Sequence, residues 1–153
     1  MTRWRQDFHL HPELGFNEHR TSAKVAELLD QFGIIVHKGI GGTGLVGVLD
    51  NGNSNRCIGL RADMDALPIQ ETAEFSYSSK KKGIMHACGH DGHTSMLLGA
   101  AKYLAETKNF DGKIVFIFQP NEEHGLGAKA MLEDGLFKRF NVENVYGIHN
   151  IPG

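Results

Sequence analysis

Ile114-Val115-Phe116-Ile117-Phe118 is the stretch of sequence that decides the fold class. Five consecutive apolar residues, rich in β-branched and aromatic side chains, predict a strand that is buried on both faces. The segments on either side of this strand alternate between helical and strand patterns. Helices that alternate with buried strands indicate an α/β fold, in which a mostly parallel sheet is flanked by helices.

The other predicted elements follow from apolar spacing and from glycine stops. Helices are predicted over about 21–32, 92–107 and 127–133, and strands over about 34–37, 45–49, 57–61 and 142–148. No helix follows the last strand to cover the sheet. We therefore expect the 153 residues to be a piece of a longer domain.

Composition and charge restrict the class of protein. With 41% hydrophobic and 22% charged residues and a net charge of -2, the chain fits one soluble domain. A near-neutral chain has no electrostatic footprint for nucleic acid or a lipid surface, so neither partner is expected. No segment is long enough to span a bilayer, and the start lacks a secretory pattern. Two cysteines cannot form a disulfide framework, and we expect a cytoplasmic protein.

Side chains with catalytic or metal-binding chemistry lie just beyond the predicted strand ends or before a helix. In open α/β sheets the ligand site forms outside the carboxyl ends of the strands, so distant segments converge there. The sequence therefore predicts one site at this edge of the sheet. Its candidate members are Asp63, Asp65, Cys88, His90, Asp91, His93, Glu122, Glu123 and His149.

Cys88 and His90 are separated by one glycine, Gly89. A thiolate and an imidazole suit zinc and similar metals, and the flexible glycine lets both side chains face one ion. The alternative is a small buried cysteine beside surface histidines. Because Cys-x-His is a short pattern, the pair alone leaves both interpretations open.

Glu122 and Glu123 match two needs of metal-assisted hydrolysis. One carboxylate binds the metal, and its neighbour accepts a proton from water. The alternative is a solvated acidic pair, which is the usual state of two adjacent glutamates. Their position directly after the buried strand and Pro120 favours the functional interpretation.

Other candidates have structural alternatives. Asp63 could simply pair with Arg61, a lone histidine such as His149 is more often structural, and the same holds for His9 and His11. His86, His93 and His124 could contact ligands or substrate. Residues 39–44 match Gly-x-Gly-x-x-Gly, but a strand rather than a helix follows, so we predict a turn and no nucleotide site.

Four motifs, in chain order, resemble those of one family of metallohydrolases. The family is that of the bacterial N-acyl-amino-acid amidohydrolases, which includes hippurate hydrolase and the plant auxin–amino-acid conjugate hydrolases. It lies within the wider aminoacylase and carboxypeptidase metallopeptidase family. The matching segments are residues 4–16 (WRQDFHLHPELGF), 60–68 (LRADMDALP), 85–93 (MHACGHDGH) and 119–123 (QPNEE).

The resemblance implies a two-metal site in a zinc-peptidase-like catalytic domain. Cys88, His90, Glu123 and His149 match the metal-ligand positions of the family, and Glu122 matches its catalytic base. The implied cofactors are two divalent ions, zinc or manganese, with cobalt or nickel as alternatives.

Asp63 matches an aspartate that orients a ligand in related enzymes, so we expect it to support the ligand set. The wider family has a histidine two residues earlier, whereas this chain has Arg61, as is usual in the subgroup. His124 stands where the family has a small residue.

The implied activity is metal-dependent hydrolysis of the amide bond in a small-molecule N-acyl amino acid, such as a hippurate-like substrate. The alternatives are a dipeptidase or carboxypeptidase of the same family, or an inactive metal-binding fragment. The family's chains continue with a lid and dimerisation domain and one more histidine ligand. Residues 1–153 are therefore expected to form the N-terminal portion of the catalytic domain, inactive alone, and the full-length protein to be a homo-oligomer.

Overall fold

The computed structural model describes residues 1–151, and this part of the chain forms a five-stranded sheet with helices on both faces. The predicted α/β class is confirmed. The helices are α1 (Thr2–Leu10), α2 (His19–Gln31), α3 (His90–Thr107), α4 (Gly127–Glu133) and α5 (Leu136–Phe140). The strands are β1 (Ile35–Lys38), β2 (Leu45–Asn51), β3 (Cys57–Asp63), β4 (Gly112–Gln119) and β5 (Asn144–Gly147).

The sheet is mixed, and this corrects the expectation of a mostly parallel one. The strand order is β1-β2-β4-β3-β5, and β3 runs parallel to β4 and β5, while β2 is antiparallel to β1 and β4. The short turn at residues 39–44 joins β1 to β2, and so short a connection permits only antiparallel neighbours. The parallel pair β3 and β4 is instead joined through α3, a helical crossover.

Strand β4 is the centre of the sheet and is buried on both faces, as its apolar run predicts. Ile114, Phe116 and Phe118 pack into the core beneath α1, α2 and α3. Val115 and Ile117 point to the opposite face, into a second cluster formed with α4 and α5. The alternation follows from the two-residue period of a strand.

Helices α1 and α5 are absent from the sequence prediction. Only Phe8 and His9 of α1 are buried, so the helix has no apolar stripe to mark it. The next helix, α2, starts without a side-chain cap from its own N-cap residue. Instead the Glu13 carboxylate accepts the backbone N–H groups of Arg20 and Thr21, which are otherwise unpaired at a helix start.

The topology brings three loops to one edge of the sheet. Because β3, β4 and β5 are parallel, the segments after Asp63, Gln119 and Gly147 all emerge at the same side. The N-terminus of α3 also lies there, since His90 at its first turn approaches Asp63. Strand β5 forms the outer edge, and its residues are exposed. Within residues 1–151 no helix is both long and apolar enough to cross a membrane.

Candidate metal centre

Cys88, His90 and Glu123 come together at this edge of the sheet. One ligand atom from each lies within 4.8 Å of the other two, and His90 Nε2 is 3.8 Å from Glu123 Oε1. That separation is too long for a hydrogen bond. It suits two ligands of one ion, since metal bonds of about 2.0–2.3 Å in tetrahedral geometry hold neighbouring ligand atoms about 3.3–3.8 Å apart.

A second group adjoins the first and shares His90 with it. It contains Asp63, His90, His93 and His149, whose ligand atoms again lie within 4.8 Å of one another. His149 Nε2 lies 3.6 Å from Asp63 Oδ2 and 3.8 Å from Cys88 Sγ, so it borders both groups. The structure thus brings together all four residues that the resemblance assigns as ligands.

The buried polar atoms of the centre test whether a metal fits. Both ring nitrogens of His90 and the Oε1 atom of Glu123 are buried, and none has a hydrogen-bond partner among the described residues. A buried polar atom without a partner destabilises a fold by about 1–3 kcal/mol. Coordination to a cation would satisfy these atoms, and a thiolate, imidazole and carboxylate set is one that zinc accepts. The residues therefore fit a metal ion.

The charge around His90 points the same way. Carboxylate oxygens of Asp65, Glu122, Asp63 and Glu123 lie 3.3, 3.6, 3.7 and 3.8 Å from its ring nitrogens. Burial lowers the pKa of His90, but these neighbouring carboxylates outweigh burial and raise the pKa above its ordinary value. So many carboxylates in one place repel each other, and bound cations would relieve that repulsion.

The Cys88 thiol shows how strongly the centre depends on a cation. Burial and the nearby charges of Glu123, Glu122 and Asp63 raise its pKa to about 11, so the bare thiol stays protonated at neutral pH. A coordinating metal reverses this preference, because it binds the thiolate and releases the proton.

Asp63 is fully buried and occupied on both oxygens. Its Oδ2 atom accepts a hydrogen bond of 2.7 Å from Arg61, which is the pairing considered as the alternative role. Its Oδ1 atom accepts a hydrogen bond of 2.7 Å from His93 Nδ1. Asp63 therefore holds its neighbours by hydrogen bonds at the rim of the centre, where the sequence places it.

Two histidines are oriented by the segment after β5. His93 Nε2 accepts the N–H of Asn150 at 3.0 Å while its Nδ1 donates to Asp63, so both of its nitrogens are engaged. His149 donates its Nδ1 proton to the carbonyl oxygen of Asn150 at 2.6 Å. This fixes the tautomer and leaves the Nε2 lone pair of His149 free to face Cys88 and Asp63, which is how metal-binding histidines are usually held.

The loop after β4 carries both glutamates. Glu122 Oε2 lies 3.6 Å from His90 Nε2, and the Glu122 side chain is 33% exposed, against 17% for Glu123. The more exposed carboxylate can reach a substrate, and the more buried one faces the ligand group. Burial, and then the charge of Glu122, raise the pKa of Glu123.

Gly89 allows Cys88 and His90 to face the same centre. Its φ of 92° is in the left-handed region, which glycine adopts without steric cost. The residue ends the loop and starts α3, so the two flanking side chains turn toward the same edge of the sheet. A residue with a Cβ would be strained at this position.

A separate network of charged side chains joins α1 to the first turn of α3, and we call it the His9 cluster. It consists of Arg5, His9, Glu71 and Asp91. His9 bridges the two carboxylates through hydrogen bonds of 2.7 Å to Asp91 and 2.9 Å to Glu71, so its role is structural. A structural role for His9 was expected from the sequence, but its partner Asp91 lies 82 positions away and could not be predicted from local pattern.

The two remaining histidines near the centre do not join the ligand groups. His124 Nδ1 lies 2.8 Å from the side-chain oxygen of Asn121, within its own loop. His86 is buried, and burial lowers its pKa to about 4, so it is neutral.

Comparison with known proteins supports the resemblance. The profile of peptidase family M20/M25/M40 matches residues 59–153. The chain is 57% identical over 148 residues to a protein named hippurate hydrolase from Campylobacter jejuni, covering 97% of this chain and 38% of that protein. It is 47% identical over 149 residues to thermostable carboxypeptidase 2 from Saccharolobus solfataricus, covering 95% of this chain and 37% of that protein.

A solved structure shows the same fold. The Bacillus subtilis YXEP protein, described as a dinuclear metal binding peptidase from the M20 family, matches with a TM-score of 0.93 and 38% identity. The match covers 99% of this chain and 42% of that one. The chain thus spans well under half the length of the relatives that it resembles.

Proposed function

The chain belongs to peptidase family M20/M25/M40, and on that premise we propose that it forms the N-terminal portion of the catalytic domain of a metal-dependent amidohydrolase. The observation that carries the proposal is the convergence of Cys88, His90 and Glu123 on one point, with buried polar atoms that lack partners within residues 1–151. Such atoms are rare in folded proteins and mark a place built for a ligand.

Cys88, His90, Glu123 and His149 would hold two divalent cations, zinc or manganese, with cobalt or nickel as alternatives. Asp63 would hold the supporting histidine and the flanking arginine by hydrogen bonds. When bound, the cations would lower the pKa of a water molecule and polarise the carbonyl of the scissile amide. The mixed sulfur, nitrogen and oxygen donors favour zinc, and metal analysis of the purified protein would identify the ion.

Glu122 would be the general base and then the general acid. Its carboxylate would accept a proton from the attacking water and deliver that proton to the leaving amine nitrogen. Two observations support this role: its partial exposure, and its position 3.6 Å from His90 Nε2 at the border of the ligand group. Glu123 is more buried and faces the other ligands, so Glu123 would bind the metal while Glu122 transfers the proton.

The substrate would be a small N-acyl amino acid, hippurate (N-benzoylglycine) being the first to test. The name of the Campylobacter jejuni relative supports this choice. The 47% identity to a protein named carboxypeptidase supports a second candidate, hydrolysis of the C-terminal peptide bond. Both reactions break an amide next to a free carboxylate, so the same metal centre serves either. Homo-oligomerisation and a cytoplasmic location stay predictions from the sequence.

Replacing Glu122 with Gln tests the proposal. The variant keeps the size of the side chain and removes the proton acceptor, so we expect kcat to fall by about 10²–10⁴-fold, the contribution typical of a general base. Metal content should stay near that of the unmodified protein, because Glu122 is not in the ligand set.

Turnover should be measured on N-benzoylglycine and on N-blocked dipeptides. The sample should be a full-length protein that contains this chain, loaded with zinc or manganese. Near-normal kcat in Glu122→Gln would remove Glu122 from the mechanism. Faster cleavage of the dipeptides would favour the carboxypeptidase alternative.

A further inference from the structure

Two buried carboxylates outside the ligand set bind the backbone of the loop that carries the glutamates. Glu18 Oε1 accepts the N–H of Asn121 at 2.8 Å. Asp65 accepts the N–H of Glu122 on Oδ1 at 3.0 Å and the N–H of Glu123 on Oδ2 at 3.1 Å. Three consecutive backbone amides thus donate to two carboxylates. Hydrogen bonds with an ionised acceptor are the stronger kind, so this loop is held unusually firmly.

Glu18 is fully buried and occupied on both oxygens. The other oxygen accepts a hydrogen bond from the hydroxyl of Thr43, a residue just before β2. Burial raises the pKa of Glu18, while the donors that face both of its oxygens favour the ionised form. Glu18 lies 103 positions before Asn121, so the contact joins the loop before α2 to the loop after β4. No ligand role is assigned to Glu18, and helix capping does not account for it.

Asn121 turns the loop through a left-handed backbone conformation. Its φ of 44° lies in a region that asparagine adopts more readily than other residues with a Cβ. Hydrogen bonds on both of its backbone polar groups hold this turn in place. The partners are the carboxylate of Glu18 for its N–H and the N–H of Gly127 for its carbonyl oxygen. Asn121 precedes Glu122 directly, so its conformation sets the direction of the glutamates.

Asp65 connects the same loop to the centre. It is 1% exposed, and Oδ1 lies 3.3 Å from His90 Nδ1. Its two oxygens accept the N–H groups of Glu122 and Glu123, as a carboxylate, which offers only acceptors, can do. One rigid side chain therefore contacts both the backbone of Glu122 and the ring of His90. The distance between these two groups is fixed by Asp65.

We propose that Glu18 and Asp65 are positioning residues, which hold the backbone at residues 121–123 so that Glu122 and Glu123 face His90. Neither residue touches the reacting atoms. The catalytic consequence rests on the proposed hydrolase function, whereas the backbone arrangement does not. The two parts can therefore be tested separately.

Amide hydrogen exchange tests the backbone arrangement without any turnover. In the unmodified protein the amides of residues 121–123 should be protected. Glu18→Gln should accelerate exchange at Asn121 by about 10- to 100-fold, because the neutral amide removes the charge that strengthens this hydrogen bond and leaves one acceptor atom in place of two. Asp65→Asn should do the same at one of Glu122 and Glu123, since asparagine keeps a single acceptor oxygen for two amides. Unprotected amides in the unmodified protein would overturn the proposal.

Glu13→Gln is the matched control. Glu13 is a buried glutamate of the same segment, and its oxygens accept backbone N–H groups of α2 and not of the loop. Both variants lose an accepted hydrogen bond and some thermal stability. Only Glu18→Gln should lower kcat on N-benzoylglycine, by about 10- to 100-fold as for residues that support a metal centre, with a smaller change in KM. Equal kcat in Glu18→Gln and Glu13→Gln would overturn the positioning role.

Cobalt substitution adds a spectroscopic test. Cobalt bound to the Cys88 thiolate gives a charge-transfer band, which Glu18→Gln should retain because the ligands are unchanged. Asp65→Asn should weaken cobalt affinity by about 10-fold or more, since Asp65 also contacts His90. Unchanged affinity in Asp65→Asn would contradict the link between the loop and His90.

Two further outcomes keep the parts distinct. If Glu18→Gln does not fold, Thr43→Val takes its place, because it removes the other hydrogen-bond donor to Glu18. This variant should accelerate amide exchange at Asn121 to a smaller extent. An unchanged exchange rate would count against the role of Glu18. If the expected exchange pattern appears but the metal-loaded unmodified protein hydrolyses no amide, the backbone arrangement stands and the proposed function fails.

Discussion

Removing the metal should destabilise this fold by an amount that depends on Cys88 and not on Cys57. The candidate metal centre contains buried atoms of His90 and Glu123 that have no hydrogen-bond partner in the described part of the chain, and several mutually repelling carboxylates. Cations that bind the folded state satisfy both, and the unfolded chain offers no comparable site. Binding therefore stabilises the folded state by linkage.

The expected size follows from that linkage. At free zinc 100 times its dissociation constant, stabilisation is about 2.7 kcal/mol. For a chain of this length, about 2–4 °C per kcal/mol converts this to a rise of roughly 5–11 °C in Tm. If loss of the Cys88 thiolate weakens binding about 100-fold, the same zinc concentration gives only about 0.4 kcal/mol, or roughly 1–2 °C.

The two cysteines provide the matched pair of variants. Cys88→Ala removes the proposed ligand from a half-buried position, so the metal-free Tm should change little. Cys57→Ala changes a buried thiol that contacts the carbonyl oxygen of Phe140, far from the centre. It should lower the metal-free Tm while leaving the zinc-dependent rise intact.

Thermal unfolding followed by circular dichroism, with chelator and with buffered zinc or manganese, measures these differences. Two results would refute the reasoning. One is a metal-dependent rise that is the same in Cys88→Ala as in the unmodified protein. The other is no rise in the unmodified protein at any metal concentration.

Two further predictions concern stability away from the ligands. In the His9 cluster the pKa of His9 is raised, so the stabilisation from protonated His9 is complete below pH 6.5 and is lost as the pH rises further. The pKa values of Glu71 and Asp91 are lowered, so the stabilisation from these carboxylates is complete above pH 4.5 and is lost as the pH falls further. The stability difference between the unmodified protein and His9→Gln in urea unfolding should therefore peak between pH 4.5 and 6.5, and a difference independent of pH would contradict this. A Cβ at Gly127 would lie 1.5 Å from the carbonyl oxygen of Pro120, so Gly127→Ala should destabilise by about 1–3 kcal/mol or more. Gly92→Ala in α3 meets no atom within 4 Å and is the control; chemical denaturation showing equal stability for both would refute the packing argument.

The elements with a strong apolar period were predictable from sequence. The expected helix at 92–107 is α3 at His90–Thr107, and the expected helix at 127–133 is α4 at Gly127–Glu133. The central strand was predictable because β4 is apolar on both faces, which only a buried strand tolerates. Residues 39–44, expected to form a turn rather than a nucleotide site, lie between β1 and β2.

The position of the candidate centre was also predictable, because one rule of topology places the ends of parallel strands at a common edge. The residues that support the centre were not predictable. Asp65 was one acidic residue among several, and nothing in a sequence shows that its two oxygens accept the amides of residues 122 and 123. Glu18 had no signal at all, since its partner Asn121 is 103 positions away. Contacts of this kind depend on packing and not on local pattern.

The antiparallel half of the sheet was not predicted, for a related reason. The residues of β1 and β2 do not indicate the direction in which these strands run, and only the short turn between them makes the pair antiparallel. Helix α1 is held by its contacts with α3 and not by an amphipathic stripe.

The exposed edge strand β5 leads into one residue of the candidate centre, so a bound ion would also bear on how firmly this strand is held. His149 follows this strand and lies 61 positions after Cys88, so an ion shared by the two closes a long stretch of chain. A cation bound by both residues would tie the segment after this exposed strand to the start of α3. Chelation should therefore loosen β5 before it unfolds the rest of the sheet.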